Sequence, residues 1–332
     1  MCTVLRRRRD QTCMAVTGLV TMVTVCLLTI SRSPSVSELR DSYQEFSSSV
    51  YHRLEELRRV KGCEGEAGDG APHASTHHHL PTIYIITPTY KRPEQMPELT
   101  RLAQTLLSVP NIHWIVAEDS NTTNTQVVEF LKYIRLPYTY LLTPMPEVFR
   151  NPQLLAQPKG VANRNAGMDW VRVHATEGVL YFADDDNTYD IRVFEEMRYT
   201  KKVSMFPVGL LTTAGLSTPV LKEGRFVGWY DGWIGGRKFP VDMAGFAVSV
   251  PYLLSVPTAK MPYTAGLEET GFLTSLNVQP EDLEFLADNC TKIYVWHTKT
   301  FRNAASSRNI LKPEYNDTNL RVLQDLLIIN ES

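Results

Sequence analysis

Net charge and cysteine are what this chain of 332 residues has least of. Lys and Arg number 34 against 36 Asp and Glu, a formal net charge of -2. So small a charge gives no electrostatic case for nucleic acid as the main partner. Five cysteines over this length exclude a small fold stapled by disulfides. There is no internal repeat. Apolar residues make up 43% and aromatics 10%, enough for a real core, so wholesale disorder is excluded. The length suits one or two domains of ~100–200 residues each.

Charge is also missing locally. None occurs between Gln11 and Ser31, and Met14 to Ile30 is mostly Val, Leu, Met, Ala and Thr. A membrane span needs about 17–25 residues, so this run is just long enough. Arg6, Arg7, Arg8 and Arg9 precede it, which leaves the N-terminus in the cytosol and the bulk of the chain across the membrane. A cleaved signal peptide would share the basic start, but Ser31-Arg32-Ser33 is a poor small-residue cleavage site. The expected division is a cytosolic tail (1–12), an uncleaved signal-anchor (13–31), a stem (32–80) and a lumenal domain (81–332). In the stem, Leu39, Tyr43, Phe46, Val50, Leu54 and Leu57 recur at helical spacing and predict an amphipathic helix or short coiled coil. Residues 61–79 are rich in Gly, His and charge and read as a flexible linker. His73, His77, His78 and His79 are a metal cluster or, lacking any Cys or carboxylate framework, part of a solvated linker. On this topology only Cys63 and Cys290 are lumenal, and Cys63 is free to bridge two chains. Glycosylation sequons at Asn121, Asn289, Asn316 and Asn330 fit a lumenal location.

Organised sequence begins at Pro81. Thr82 to Ile86 is a β-branched run bounded by prolines, a buried strand. A helix at 97–107, a strand at 112–117, a helix at 126–132, a strand at 138–142, a helix at 161–173 and a strand at 179–183 follow. This alternation predicts an α/β fold on a parallel sheet. Ligands of such sheets sit beyond the carboxyl ends of the strands, which singles out Pro88-Thr89-Tyr90, Glu118-Asp119 and Asp184-Asp185-Asp186 on one rim. Three adjacent carboxylates repel unless a cation or a hydroxyl-rich ligand compensates. Oxygen-only ligands suit Mg²⁺ or Mn²⁺ bridging to substrate phosphates; the alternative is a solvated acidic turn. Tyr90 can stack on a base and Asp119 can accept from its imide N–H, unless Tyr90 is only a loop aromatic. Lys159 and Arg164 flank a helix start and can hold phosphates there, or are surface cations. Trp229, Tyr230, Trp233 and Arg237 lie in a Gly-rich stretch ending at Asp242, either a sugar platform or a core edge. Glu268-Glu269 holds a general base or is a pair favoured by a helix dipole. His297, Thr298 and Lys299 follow an expected strand at 292–295.

Together these motifs resemble the β-1,3-glucuronosyltransferases. The matching strings are Pro81-Thr-Ile-Tyr-Ile-Ile-Thr-Pro-Thr-Tyr90, Tyr181-Phe-Ala-Asp-Asp-Asp-Asn-Thr-Tyr189, Asp242-Met-Ala-Gly-Phe-Ala-Val248 and Asn289-Cys-Thr-Lys-Ile-Tyr-Val-Trp-His-Thr298. The resemblance covers Pro81 to about Arg302; the anchor and stem match only in kind. It implies a GT-A-like domain with a UDP-sugar-binding half (81–195) and an acceptor-binding half (196–332). It further implies a homodimeric, single-pass type II Golgi membrane enzyme. Such an enzyme uses Mn²⁺ to transfer glucuronic acid, with inversion, from UDP-glucuronic acid to the 3-hydroxyl of a terminal galactose. The acceptor would be a proteoglycan linker or another glycoprotein glycan. By resemblance Pro88, Thr89, Tyr90 and Asp119 hold uridine, Asp184 and Asp185 bind its ribose and base region, and Asp186 ligates Mn²⁺. Lys159, Arg164 and the 297–299 stretch lie on the donor; Trp233, Arg237 and Asp242 line the galactose site; Glu269 falls on the catalytic base. Three positions depart. Lys159 and Lys299 stand where Arg is expected, keeping charge but losing a bidentate fork, and Ser217 stands roughly where an acceptor-binding Glu is expected. An inverting transferase for another UDP-sugar and an inactive lectin-like homologue are the alternatives, and intact Asp184–Asp186 and Glu269 argue against the latter.

Overall fold

The computed structural model describes residues 80–150, 156–211 and 214–298, with 300, 313, 317–321 and 323 beyond them. The expected anchor and stem, Cys63, Lys299, Asn316 and Asn330 lie outside the described residues. Among those described, no helix is long and apolar enough to cross a membrane.

The strands are β1 (Ile83–Thr89), β2 (Ile112–Glu118), β3 (Tyr138–Leu142), β4 (Val179–Phe182), β5 (Thr188–Tyr189), β6 (Val203–Met205), β7 (Val208–Gly209), β8 (Leu216–Lys222), β9 (Arg225–Tyr230), β10 (Phe246–Ser249), β11 (Leu283–Phe285) and β12 (Val295–Trp296). The helices are α1 (Gln95–Leu106), α2 (Thr125–Ile134), α3 (Val161–His174), α4 (Ile191–Met197), α5 (Val250–Ser255) and α6 (Glu268–Ser275).

β1 is buried almost throughout because a sheet covered on both faces takes apolar residues at every position. Successive side chains go to opposite faces. Ile83 and Ile85 therefore join Leu99, Leu102, Trp114 and Leu131 on one side, while Ile86 joins Ile115, Met168, Phe182, Phe246 and Phe272 on the other. Gly167 lets α3 settle on β1, since a Cβ there would lie 2.7 Å from Ile86.

Seven strands form one sheet in the order β11-β6-β10-β4-β1-β2-β3, and five form a second in the order β5-β12-β7-β8-β9. The expected parallel arrangement holds across β1 to β4. It fails at β10, which runs antiparallel to both β4 and β6, so the sheet is mixed. Parallel neighbours need a long crossover, and the chain reaches β10 from the β8–β9 hairpin with no helical crossover between. The expected strand at 292–295 is likewise only Val295–Trp296. Lys292 and Ile293 are exposed just past a turn in which Ala287, Asp288, Asn289 and Cys290 all have positive φ.

Because β1, β2 and β4 run the same way, their carboxyl ends open on one rim. The three polar clusters expected there come together.

Candidate active site

Pro88, Thr89 and Tyr90 after β1, Asp119 after β2 and Asp184, Asp185 and Asp186 after β4 line a single cavity of about 500 Å³, along with Arg92, Arg150, Lys159 and Arg164. The three aspartates are not equivalent. Asp184 pairs with the Arg164 guanidinium. Asp185 is 5% exposed; Arg92 Nη2 donates to it at 2.7 Å and the Thr89 hydroxyl at 2.8 Å. Burial pushes its carboxyl up, against the pull of Arg92. Asp186 has no cationic partner among the described residues. Burial, then the charges of Asp184 and Asp185, push its carboxyl up to about 6. Its backbone carbonyl, by contrast, is tied down by Arg101 and by the Thr298 hydroxyl.

That asymmetry suits a divalent cation at Asp186, the one carboxylate of the triplet with no ion-pair partner among the described residues and only the charge of His297 opposing the upward shift. No group of three His, Cys, Asp or Glu among the described residues is arranged to hold a metal unaided. A cation here would draw most of its shell from water and phosphate, as Mg²⁺ and Mn²⁺ do at phosphate sites.

The wall of the cavity is a buried polar network. Gln95 Nε2 donates to Thr89 Oγ1 at 3.2 Å and to Glu118 Oε1 at 3.1 Å. Glu118 also accepts from Asn124 Nδ2 at 3.1 Å and from the Tyr140 hydroxyl. At 1% exposure, Glu118 thus braces α1, α2 and β3, and only its neighbour Asp119 faces the cavity. Tyr90 is 40% exposed and carries the Arg92 guanidinium 4.6 Å above its ring centroid. Arg92 was open to the strand-end rule, two residues past Tyr90. Arg150 comes from irregular chain and carried no such signal.

At the start of α3, Gly160 has φ +74°, and a Cβ there would lie 2.5 Å from Arg164 Nη1. Glycine lets the Arg164 side chain fold under the helix entrance, where Nη1 donates to the Lys159 carbonyl at 3.4 Å. Lys159 itself is exposed on the cavity wall. The free N–H groups of a helix start attract anions, so α3 adds its end to these two cations.

Glu268 and Glu269 open α6. Burial, then the charges of Asp242 and Glu268, push the Glu269 carboxyl up to about 7, while its own backbone N–H and Arg164 oppose the shift. Asp242 caps the turn Met243–Gly245 by accepting from Ala244 N at 2.9 Å, and its Oδ2 lies 3.2 Å from His297 Nδ1. That contact raises the pKa of His297. Thr298 sits 3.2 Å, hydroxyl to hydroxyl, from Thr188.

Trp233 is 48% exposed. Arg237 lies 4.5 Å over its ring, donates to the Trp233 carbonyl and pairs with Asp231 at 3.0 Å. The Arg237 side chain is only 6% exposed, so it shapes this loop and covers one face of the indole. Gly266 packs against the ring edge. Ser217, by contrast, is 2% exposed inside β8, and its hydroxyl has no hydrogen-bond partner among the described residues. Asn121 and Asn289 are both exposed. Burial pushes the Cys290 thiol up to about 11, which disfavours the thiolate form.

The model of glycosyltransferase family 43 matches residues 102–301. Galactosylgalactosylxylosylprotein 3-beta-glucuronosyltransferase P of Drosophila melanogaster is 54% identical over 249 residues, 75% of this chain and 52% of that protein. The chain thus spans about half the length of this relative. The S enzyme of the same fly is 44% identical over 289 residues, covering 84% and 70%. The Homo sapiens enzyme numbered 2 is 46% identical over 254 residues, covering 74% and 77%. The chain belongs to glycosyltransferase family 43, among the β-1,3-glucuronosyltransferases.

Proposed function

We propose that this protein transfers glucuronic acid from UDP-glucuronic acid, with inversion, to the 3-hydroxyl of a terminal β-galactose, as in the galactosyl-galactosyl-xylosyl linker of proteoglycans. The observation that carries the reading is a division of labour among acids. One carboxylate of the rim triplet has no ion-pair partner among the described residues on a nucleotide-sized cavity, and a separate one, Glu269, is poised near neutrality at a helix start. A base works best with a pKa near the working pH.

In the proposed displacement Glu269 takes the proton of the galactose 3-hydroxyl. That oxygen forms its bond to the anomeric carbon of the donor while the bond from that carbon to the diphosphate oxygen breaks, and UDP leaves with the electron pair. Tyr90 stacks on uracil and Asp119 accepts from its imide. Lys159, Arg164 and His297 hold the diphosphate, with the Asp242 contact favouring the charged form of His297. Trp233 offers to galactose the face that Arg237 leaves uncovered. Asp186 would hold Mn²⁺, which when bound would neutralise charge on the departing UDP.

The same reading makes the domain GT-A-like and lumenal, carried by a type II Golgi anchor at 13–31, with Asn121, Asn289 and Asn316 open to glycosylation and a homodimer as the assembly. Full-length protein incubated with radiolabelled UDP-glucuronic acid and a panel of galactose-terminated acceptors tests the activity. Label in the glycan is the expected result, and transfer from a different UDP-sugar alone would overturn it.

A further inference from the structure

The carboxylate expected to read the base is itself held by a residue outside every matching motif. Asp119 Oδ1 accepts from Arg150 Nη2 at 2.5 Å and from the Met145 N–H at 2.7 Å. Arg150 Nε donates to the Met145 carbonyl at 3.0 Å, so one short turn fixes both groups. The turn is anchored in its own right. Phe149 stacks on Tyr263 with ring centroids 4.6 Å apart and planes 3° from parallel. Arg150 lines the same cavity as Tyr90 and Asp119.

We propose that Arg150 is a base-reading residue, and that with Asp119 it forms a donor–acceptor pair matched to the imide edge of uracil. The inference rests on the UDP-sugar reading above. Uracil presents an N–H between two carbonyl oxygens. Cytosine presents a bare ring nitrogen and an amino group. A carboxylate accepts from the uracil imide, but it accepts from the cytosine amino group as well, so Asp119 alone separates the two poorly. A guanidinium has donors only. Placed beside Asp119, it bonds a uracil carbonyl and repels the amino group that cytosine puts there. Lys159 on the same wall cannot do this, because an ammonium on a flexible stem lacks a fixed planar fork. Arg150 supplies from a different loop the fork that position 159 lacks.

The test is calorimetric titration of UDP and CDP into full-length protein in one Mn²⁺ buffer, for wild type, Arg150→Ala and Arg150→Lys. Wild type is expected to prefer UDP. Arg150→Ala should weaken UDP binding about tenfold or more, the range for one charge-assisted hydrogen bond, while CDP binding changes little. Arg150→Lys keeps the charge without the fork, and its UDP-to-CDP ratio should fall as well. Equal losses for UDP and CDP would assign Arg150 to general attraction of the diphosphate and overturn the proposal. So would an unchanged ratio in Arg150→Ala. A wild type with no preference for UDP would overturn the UDP-sugar reading together with it. A wild type that prefers UDP, with a ratio indifferent to Arg150, would overturn this inference alone.

Discussion

Nδ1 of His297 lies 3.2 Å from Oδ2 of Asp242, so a residue assigned to the donor phosphates touches one assigned to the acceptor sugar. The hydrogen bond is the main cause of the raised His297 pKa, with the charges of Asp242, Asp184 and Asp186 adding to it. Replacing Asp242 by Asn should therefore lower the pH at which the ring loses its proton. Between the two midpoints the imidazolium and its pull on diphosphate are lost; below both they return. Nuclear magnetic resonance titration of the His297 ring, with UDP affinity measured at two pH values, checks this. An unchanged midpoint would show that Asp242 does not govern the ring.

Gly266 has φ +80°, and a Cβ there would lie 2.7 Å from Cη2 of Trp233. Gly266→Ala, two residues ahead of Glu268, should introduce backbone strain of about 1–3 kcal/mol and displace the Trp233 indole. A lower Tm and a higher acceptor KM are expected, with UDP affinity unchanged. Normal acceptor kinetics in a destabilised variant would remove Trp233 from the acceptor site.

Asp186 is the member of the triplet without a cation partner among the described residues, so Asp186→Ala should abolish the response of UDP binding to Mn²⁺. Calorimetry with Mn²⁺ and with EDTA measures it. UDP affinity indifferent to EDTA in wild type and unchanged in the variant would contradict a metal at this position.

What the sequence revealed and what it hid have physical causes. The strand of Val, Leu, Tyr and Phe before Asp184 announces itself because a strand buried on both faces has no polar positions. The strand-end rule then locates Tyr90, Asp119 and the triplet without any knowledge of contacts. It does not separate Glu118 from Asp119: neighbours on a strand point to opposite faces, and only the three-dimensional partners Gln95, Asn124 and Tyr140 reveal that Glu118 is structural. The direction of β10 was hidden because its short apolar run reads the same in either orientation. Arg150 was hidden because its partner is 31 positions away and its turn has no periodicity. Ser217 looked like an acceptor contact by position, but its strand carries it 2% exposed between neighbours.

The central claim is that Glu269 is the base. Its most direct test is the pH dependence of turnover with UDP-glucuronic acid and a galactose-terminated acceptor, wild type against Glu269→Gln, with UDP binding measured alongside. A carboxyl pushed up to about 7 is protonated and idle below that pH and active above it, so wild-type turnover should rise as pH increases through about 7. Glu269→Gln keeps the shape but cannot take a proton; turnover should fall by ~10²-fold or more, lose its rise with pH and leave UDP affinity intact. Near-normal turnover in the variant, with the rise retained, would contradict the account and move the role to another group, Glu268 first.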